Sequence, residues 1–555
     1  MPAAHLRRPA PLGRSRAHRR ALRALAAAAA LCTCACAVVQ AQQTTQQTAP
    51  PPTPADKGAD FVLKGIVYRG TTEMQDSALS TLAAAYIGRR VTLADLEKLA
   101  ELVTLEYRSR GYFLAQAIVP QQKIEEGQAE ISVLEGRLGK VQVKVAAGAP
   151  TSEERVRAIL ARLKPGAALQ QASYDRTMLL LSDLPGLKVQ AGLEQGAETG
   201  TTDLVVEVSA AEKRWQASLE VDNYGTAASG RERLSATLRY ASPFGIGDNL
   251  DARLMSSSGA HQSFGRLSYE APLGADGLRL GAGVSRVGYE LGAQFAALGA
   301  TGTAQVFDMS AVYPLLRSRG RNLFLRAAFE TKALKDKTEA VGQNSDKRVN
   351  AASFGFTWEA RDTLLGGGYV NAGVTAYFGQ LKLKNDATRQ LDQDPTTGHQ
   401  TEGNFAKFSL TGSRLQSLFG RHNLYVSLVG QFANHNLDPA EKLALGGDRA
   451  VRAYPSGEVL VDTGWIGGVE WRYSATDDLV LALFHDAGHG EQARDPNPND
   501  VRNRRTLRGT GVGLTWSAPY AITLRAAVAW RMGDPPVSDS GASDPRVLVQ
   551  VQKAF

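Results

Sequence analysis

Asn322 to Glu330 reads NLFLRAAFE. Leu323, Leu325, Ala327 and Phe329 alternate with Asn322, Arg326 and Glu330, a period of two that only a β-strand presents as one apolar and one polar face. The same grammar recurs on both sides. In RLSATLRY, Leu234, Ala236, Leu238 and Tyr240 oppose Ser235, Thr237 and Arg239. In AITLRAAVAWR, Ile522, Leu524, Ala526, Val528 and Trp530 oppose Thr523, Arg525 and Arg531. From about Arg214 to the end, helical periodicity vanishes. Sixteen candidate strands begin near Arg214, Arg231, Asp248, His261, Leu278, Gly302, Arg321, Arg348, Gly368, Asn404, Arg421, Gly464, Leu479, Arg504, Ala521 and Arg546. Each strand and its loop takes about 21 residues, which suits membrane strands of ~9–11 residues.

A soluble sandwich also alternates. Two features favour a membrane barrel. Charges recur on the face that would line a watery lumen. Tyr224, Tyr240, Phe244, Tyr269, Tyr313 and Tyr520 sit near segment ends, where an interfacial girdle belongs. The last strand, RVLVQVQKAF, closes on the aromatic Phe555.

Upstream the pattern is different. Residues 60–136 and 137–211 each read as β-α-α-β-β, an internal repeat of about 70 residues. In the first unit, Leu93, Leu96, Leu99, Ala100, Val103 and Tyr107 fall on one helical face, with Thr92 as N-cap and Gly111 as stop. In the second, SEERVRAILARLKPG is expected to stay helical up to Pro165-Gly166, carrying Arg155, Arg157 and Arg162 on one helix. SYDRTMLLLSDLPG is expected to end at Pro185-Gly186. Those arginines, with Tyr107 and Tyr112, are weighed as cargo contacts, with solvated-face or core roles favoured.

Residues 42–59 are rich in Gln, Thr and Pro and read as a linker, helical only with a partner to pack on. Residues 1–41 read as a secretory signal: seven arginines, then an apolar run from Ala24 to Val39, then Val39-Gln40-Ala41. The run is shorter than a membrane helix needs. All three cysteines (Cys32, Cys34, Cys36) lie inside it, so the mature chain has no disulfide, thiol catalyst or cysteine-held metal. The chain's formal charge of +8 is also a signal effect. Without the seven arginines, 56 basic residues face 55 acidic ones, which argues against a nucleic-acid partner.

Nothing marks an enzyme or a cofactor site. There is no G-x-x-x-x-G-K-[ST] phosphate loop and no Gly-x-Ser-x-Gly elbow. His485 and His489 are spaced H-x-x-x-H, but four strand residues hold them ~13 Å apart, too far for one metal.

Two stretches carry the candidate site. DRAVRAYPSGE (Asp448–Glu458) puts an arginine in a long connection near 437–463. LVLALFHDAG (Leu479–Gly488) gives Leu479, Leu481 and Leu483 to one face, and Val480, Ala482, Phe484, Asp486 and Gly488 to the other. If the leucines meet lipid, Asp486 points into the lumen and wants a cation, since a carboxylate on the lipid face is costly, roughly kilocalories per mole. Arg452 can pair with it bidentately.

The order of DRTMLLLSDLPG, DNYGTAASGRERLSATLRYASPFGIGDNL, GGDRAVRAY and FHDAG resembles that in the TpsB transporters of two-partner secretion, the haemolysin secretion/activation proteins of the ShlB/FhaC/HecB type. The resemblance implies a sixteen-stranded outer-membrane β-barrel (212–555) behind two periplasmic α+β POTRA domains (60–136 and 137–211). It implies a lumen loop with a VRGY-type motif (Val451, Arg452, Ala453, Tyr454) whose Arg contacts the Asp of an F-x-D-x-G strand motif (Phe484, Asp486, Gly488). Ala453 stands where the family motif usually has Gly, and would be strained if φ were positive there. The resemblance further implies ATP-free export of an unfolded TpsA-type haemolysin or adhesin, a linker plug, and a monomer in outer-membrane lipid. Phe555 would be read by the barrel-assembly machinery. An assembly factor of the same superfamily is the alternative, distinguished by its client.

Overall fold

The computed structural model describes residues 60–555 except 499, 501 and 540. The expected signal and linker, 1–59, lie outside the described residues.

The first unit packs helices α1 (Asp76–Ala83) and α2 (Leu93–Ser109) on a sheet in which Gly65–Arg69 runs parallel to Gln128–Leu134, itself antiparallel to Gln116–Ile118. Thr92 caps α2 reciprocally: its hydroxyl accepts from Asp95 N, and the Asp95 carboxylate accepts from Thr92 N. Leu96, Leu99, Ala100, Val103 and Tyr107 are buried on the expected face, while Leu93, the first residue past the cap, stays exposed. The second unit repeats the order. Arg137–Val145 runs parallel to Thr201–Ala210, which pairs antiparallel with Leu187–Gln195, under helices α3 (Glu153–Leu160) and α4 (Gln171–Ser182). α3 ends earlier than expected. Leu163 N donates to Leu160 O in a tight turn, and the residue before Pro165 disfavours helix. Arg162 therefore leaves the helix and pairs with Asp276 on a periplasmic turn of the barrel, its Nε 3.0 Å from Oδ1. Arg157 pairs with Glu153 on the solvated face, and Tyr107 is core.

Glu135 locks the joint between the units. It is buried and accepts from Thr72 N (2.6 Å), Glu73 N (2.8 Å) and the Tyr107 hydroxyl (3.1 Å), with Arg137 at 3.2 Å. Burial pushes its carboxyl up, but the backbone donors of Glu73 and Thr72, with the Thr72 and Tyr107 hydroxyls, outweigh it and hold the group below its ordinary 4.5. A carboxylate with a depressed folded-state value contributes stability that is full above the unfolded value and lost as pH falls through the folded one. Protection of 61–136 against hydrogen exchange in the full-length protein, taken relative to the intrinsic rate at each pH, should therefore fall as pH drops below about 4.5, and Glu135→Gln should flatten that dependence.

Sixteen antiparallel strands, from Trp215–Asp222 to Arg546–Ala554, close into a barrel, the last pairing with the first (Ala554 with Ser218, Gln550 with Asp222). Every strand starts within five residues of its expected position, the largest offset being the eighth, Gln343–Asp362. The sixth to eighth strands run 18 to 20 residues, longer than a bilayer needs. Lipid-facing positions hold Leu254, Phe329, Phe354, Trp471, Leu483 and Val551, all exposed. The lumen face holds ion pairs such as the two-pronged Arg266–Asp308 (2.7 and 3.0 Å). Aromatics cluster at periplasmic ends: Trp215 stacks on Tyr240, and His422 on Trp471 and Tyr473. α4 is bound to the barrel's periplasmic rim. Asp183 accepts both arms of Arg317 (2.7 and 2.8 Å), Asp175 pairs with Arg319 (2.9 Å), and Arg176 donates to Pro314 O (2.9 Å). A short helix, α5 (Asp386–Gln393), in the loop between the ninth and tenth strands has no counterpart in the sequence reading.

Candidate functional site

Residues 434–462 connect the eleventh strand, His422–Ala433, to the twelfth, Thr463–Ser474. The connection folds back as a hairpin: Leu443–Ala444 pairs with Leu460–Val461, and Leu445 N donates to Val459 O. Val451, Ala453 and Tyr454 at its tip are almost fully buried, packed with Leu445, Val461, Phe484 and Leu507. A connection buried inside a barrel must satisfy its backbone and charges from the wall.

Arg452 does so. Its Nε and Nη2 donate to the two oxygens of Asp486, each at 2.8 Å, and its backbone N–H reaches the same carboxylate at 3.2 Å. Its Nη1 lies 2.7 Å from Glu470, and its guanidinium carbon sits 3.5 Å from the centre of the Phe484 ring. One planar fork thus meets two carboxylates and one aromatic face, which a lysine could not do. The strand glycines make room. A Cβ on Gly488 would come within 3.3 Å of the Val451 side chain, and one on Gly509 within 2.6 Å of the Ala453 methyl. Ala453 itself is not among the residues in the left-handed region, so the methyl brings no backbone strain. The Tyr454 hydroxyl donates to Asp534 O at 3.1 Å. Arg546 on the last strand donates to the carbonyls of Arg452 and Tyr454.

The structure thus brings Val451, Arg452, Ala453, Tyr454, Phe484, Asp486 and Gly488 into one cluster. Phe555 stands apart at the periplasmic end, its N–H donating to Ala217 O and its ring exposed.

Other members of the site went unnoticed in the sequence. Glu470 was legible by parity: it alternates with the outward Val469 and Trp471 and pairs across the ladder with Phe484. Glu441 was not. It lies on the loop, buried, within 2.6 Å of Lys332 and 2.8 Å of Lys407. Asp438 likewise meets Lys347 at 2.8 Å, and Glu458 accepts from Val537 N and Ser538 N. Loop residues carry no period, so nothing in the sequence pairs them with a wall.

A sixteen-stranded barrel with an apolar outer band, a charged lumen filled by its own loop, and paired α+β units on one rim defines an outer-membrane transporter whose POTRA domains lie in the periplasm. Comparison with known proteins makes this specific. Residues 200–516 match the model for the haemolysin secretion/activation protein ShlB/FhaC/HecB, and 61–136 match the ShlB-type POTRA domain. The chain belongs to that family, the TpsB transporters of two-partner secretion, which are secretion pores and not enzymes. It is 27% identical over 495 residues to the heme/hemopexin transporter protein HuxB of Haemophilus influenzae, covering 87% of this chain and 86% of that protein. It is 23% identical over 490 residues to the outer membrane transporter CdiB of Escherichia coli O6:K15:H31, covering 85% and 79%. The solved structure of CdiB from Escherichia coli superposes with a TM-score of 0.70 at 19% identity, covering 92% of this chain and 93% of that one, a likeness of fold.

Proposed function

We propose that this transporter recognises an unfolded TpsA-type exoprotein, of the haemolysin or adhesin kind, in the periplasm and passes it through the barrel without ATP. The observation that carries the reading is the strand Leu187–Gln195. It is nine residues long, hydrogen-bonded to Thr201–Ala210 on one side only, largely exposed, and belongs to the unit fastened to the barrel's entrance. An unpaired edge accepts an extended segment by strand addition, which gives main-chain affinity with little demand on sequence. The sequence has no phosphate loop, so folding of the cargo outside supplies the drive. The 434–462 loop fills the lumen at rest and shifts during transport, with the Arg452–Asp486 pair as its tether. The signal at 1–41 is cleaved, Phe555 is read by the barrel-assembly machinery, and the transporter works as a monomer.

A photo-crosslinker at Gln190, exposed on that edge, should capture the amino-terminal region of the cognate exoprotein during secretion. One at Lys144, exposed on the other edge of the same sheet, should not. Equal capture at both, or export unaffected by loss of this protein, would remove the reading.

A further inference from the structure

The outer wall carries charges that neither the lumen nor the loop explains. Arg286, Gln305, Ala333, Arg348 and Lys382 are successive cross-strand partners on the fifth to ninth strands. Their neighbours Val349, Leu334, Leu381 and Leu383 are buried in the lumen, so parity turns this row outward, and Arg286, Arg348 and Lys382 are exposed. No ion pair or side-chain hydrogen bond engages Arg286 or Arg348 among the described residues. The nearest acid on this face, Asp346, lies 3.9 Å from Lys335.

Height gives these charges a meaning. On the eighth strand the outward residues run Trp358, Phe356, Phe354, Ala352, Asn350 and then Arg348. Ten residues at ~3.3 Å, tilted about 40°, rise about 25 Å, the height of the apolar band. Arg348 therefore sits where acyl chains give way to headgroups on the extracellular side. Directly beneath lies an open groove of about 700 Å³ on the outer surface, with Leu254, Leu267, Val284 and Phe307 on its floor and Arg286 and Arg348 on its lining. Near the extracellular ends of the fifteenth, sixteenth, first and second strands the outward residues are instead Trp530, Val547, Val221 and Leu234, and Arg508 on the fourteenth faces outward without a second cation in its row.

We propose that this groove binds a phosphorylated lipid of the outer leaflet, one acyl chain lying along Leu254, Leu267, Val284 and Phe307 and a headgroup phosphate held by Arg286 and Arg348, with Lys382 adding charge above. Charge complementarity chooses the occupant. Arg348 at the edge of the bilayer, and Arg286 three strands along the same row and closer than Arg348 to the periplasmic end of its strand, have no protein anion, and both gain most from a phosphate that can accept their forked donors. An apolar trough leading away from them into the bilayer excludes a soluble phosphate as the intended ligand.

The test uses the full-length protein in detergent, with retained ligand read by native mass spectrometry. The probes are diphosphorylated lipid A, the same lipid dephosphorylated, and inorganic phosphate. The wild type should retain the diphosphorylated lipid. Arg286→Gln/Arg348→Gln should weaken retention at least tenfold and Arg286→Lys/Arg348→Lys much less, with barrel insertion followed by heat-modifiable mobility. Val284→Trp, which fills the trough and leaves the arginines in place, should also weaken it. Equal retention by wild type and the glutamine variant, indifference to Val284→Trp, or retention of inorganic phosphate as tightly as the lipid would each overturn the proposal.

Discussion

Arg452→Ala should insert as a barrel of normal heat-modifiable mobility and yet leave its loop undocked, with raised conductance in planar bilayers and impaired export. The substitution strands Asp486, 3% exposed, without its fork. It also removes one of the two cations on Glu470, which keeps Arg472 at 2.5 Å. Removing one partner of a buried pair costs about 3–5 kcal/mol, chiefly because the other charge is left unpaired. At 1.4 kcal/mol per decade, that shifts the docked-to-undocked ratio by at least ~10². The barrel is spared because its ladder does not depend on the loop. Asp486→Ala should behave alike, but more mildly, since Arg452 retains Glu470 at 2.7 Å. The exchange Arg452→Asp/Asp486→Arg should restore docking only in part: the backbone bond from residue 452 to the strand carboxylate is gone, and Glu470 now faces a carboxylate on the loop. Arg452→Lys should fall between, since an ammonium cannot span both acids and lie over Phe484. Wild-type conductance and export in Arg452→Ala would show that the pair does not hold the loop.

The part of this site legible in sequence is the part that obeys a period. Alternation through LVLALFHDAG put Asp486 in the lumen, and alternation through GVEWRYS does the same for Glu470. The barrel was readable for the same reason, since each strand repeats one rule about lipid and water. The face of α2 was readable because 3.6 residues per turn put Leu96, Leu99, Val103 and Tyr107 together. What escaped has no period. The end of α3 at Leu160 is set by a local turn ahead of Pro165, and the partners of Glu441 and Asp438 are set by where a 29-residue connection folds in three dimensions. Lys332 could be assigned to the lumen by parity with Leu323 to Phe329, but its partner, 109 residues on, could not.

That unreadable pair carries the second large effect. Glu441 is 3% exposed and holds two ammonium groups, Lys332 on the seventh strand and Lys407 on the tenth, while Asp438 holds Lys347 on the eighth. Arg452 is fixed to the twelfth and thirteenth strands, so the loop is clasped at two separate sectors of the wall. Glu441→Gln leaves Lys407 with only the residue-441 carbonyl and Lys332 with only Glu330, 3.0 Å away, a loss toward the lower end of about 3–5 kcal/mol by the same reasoning. Hydrogen exchange should then rise through 438–444 while 446–456 stays protected, and Arg452→Ala should show the opposite pattern. Each clasp holds its own half of the connection, so each single change frees that half, and the double variant should raise conductance above either single change. The apolar replacement Glu441→Met/Lys332→Met/Lys407→Met separates charge from packing: well-packed hydrophobic substitutes for a buried ionic cluster are often neutral or stabilising. It should therefore restore a docked, low-conductance loop, yet hold it without charges that the lumen's polar contents could draw away. Export should then stay low while the pore stays shut. Unchanged exchange and conductance in Glu441→Gln would mean that the Arg452 clasp alone retains the loop.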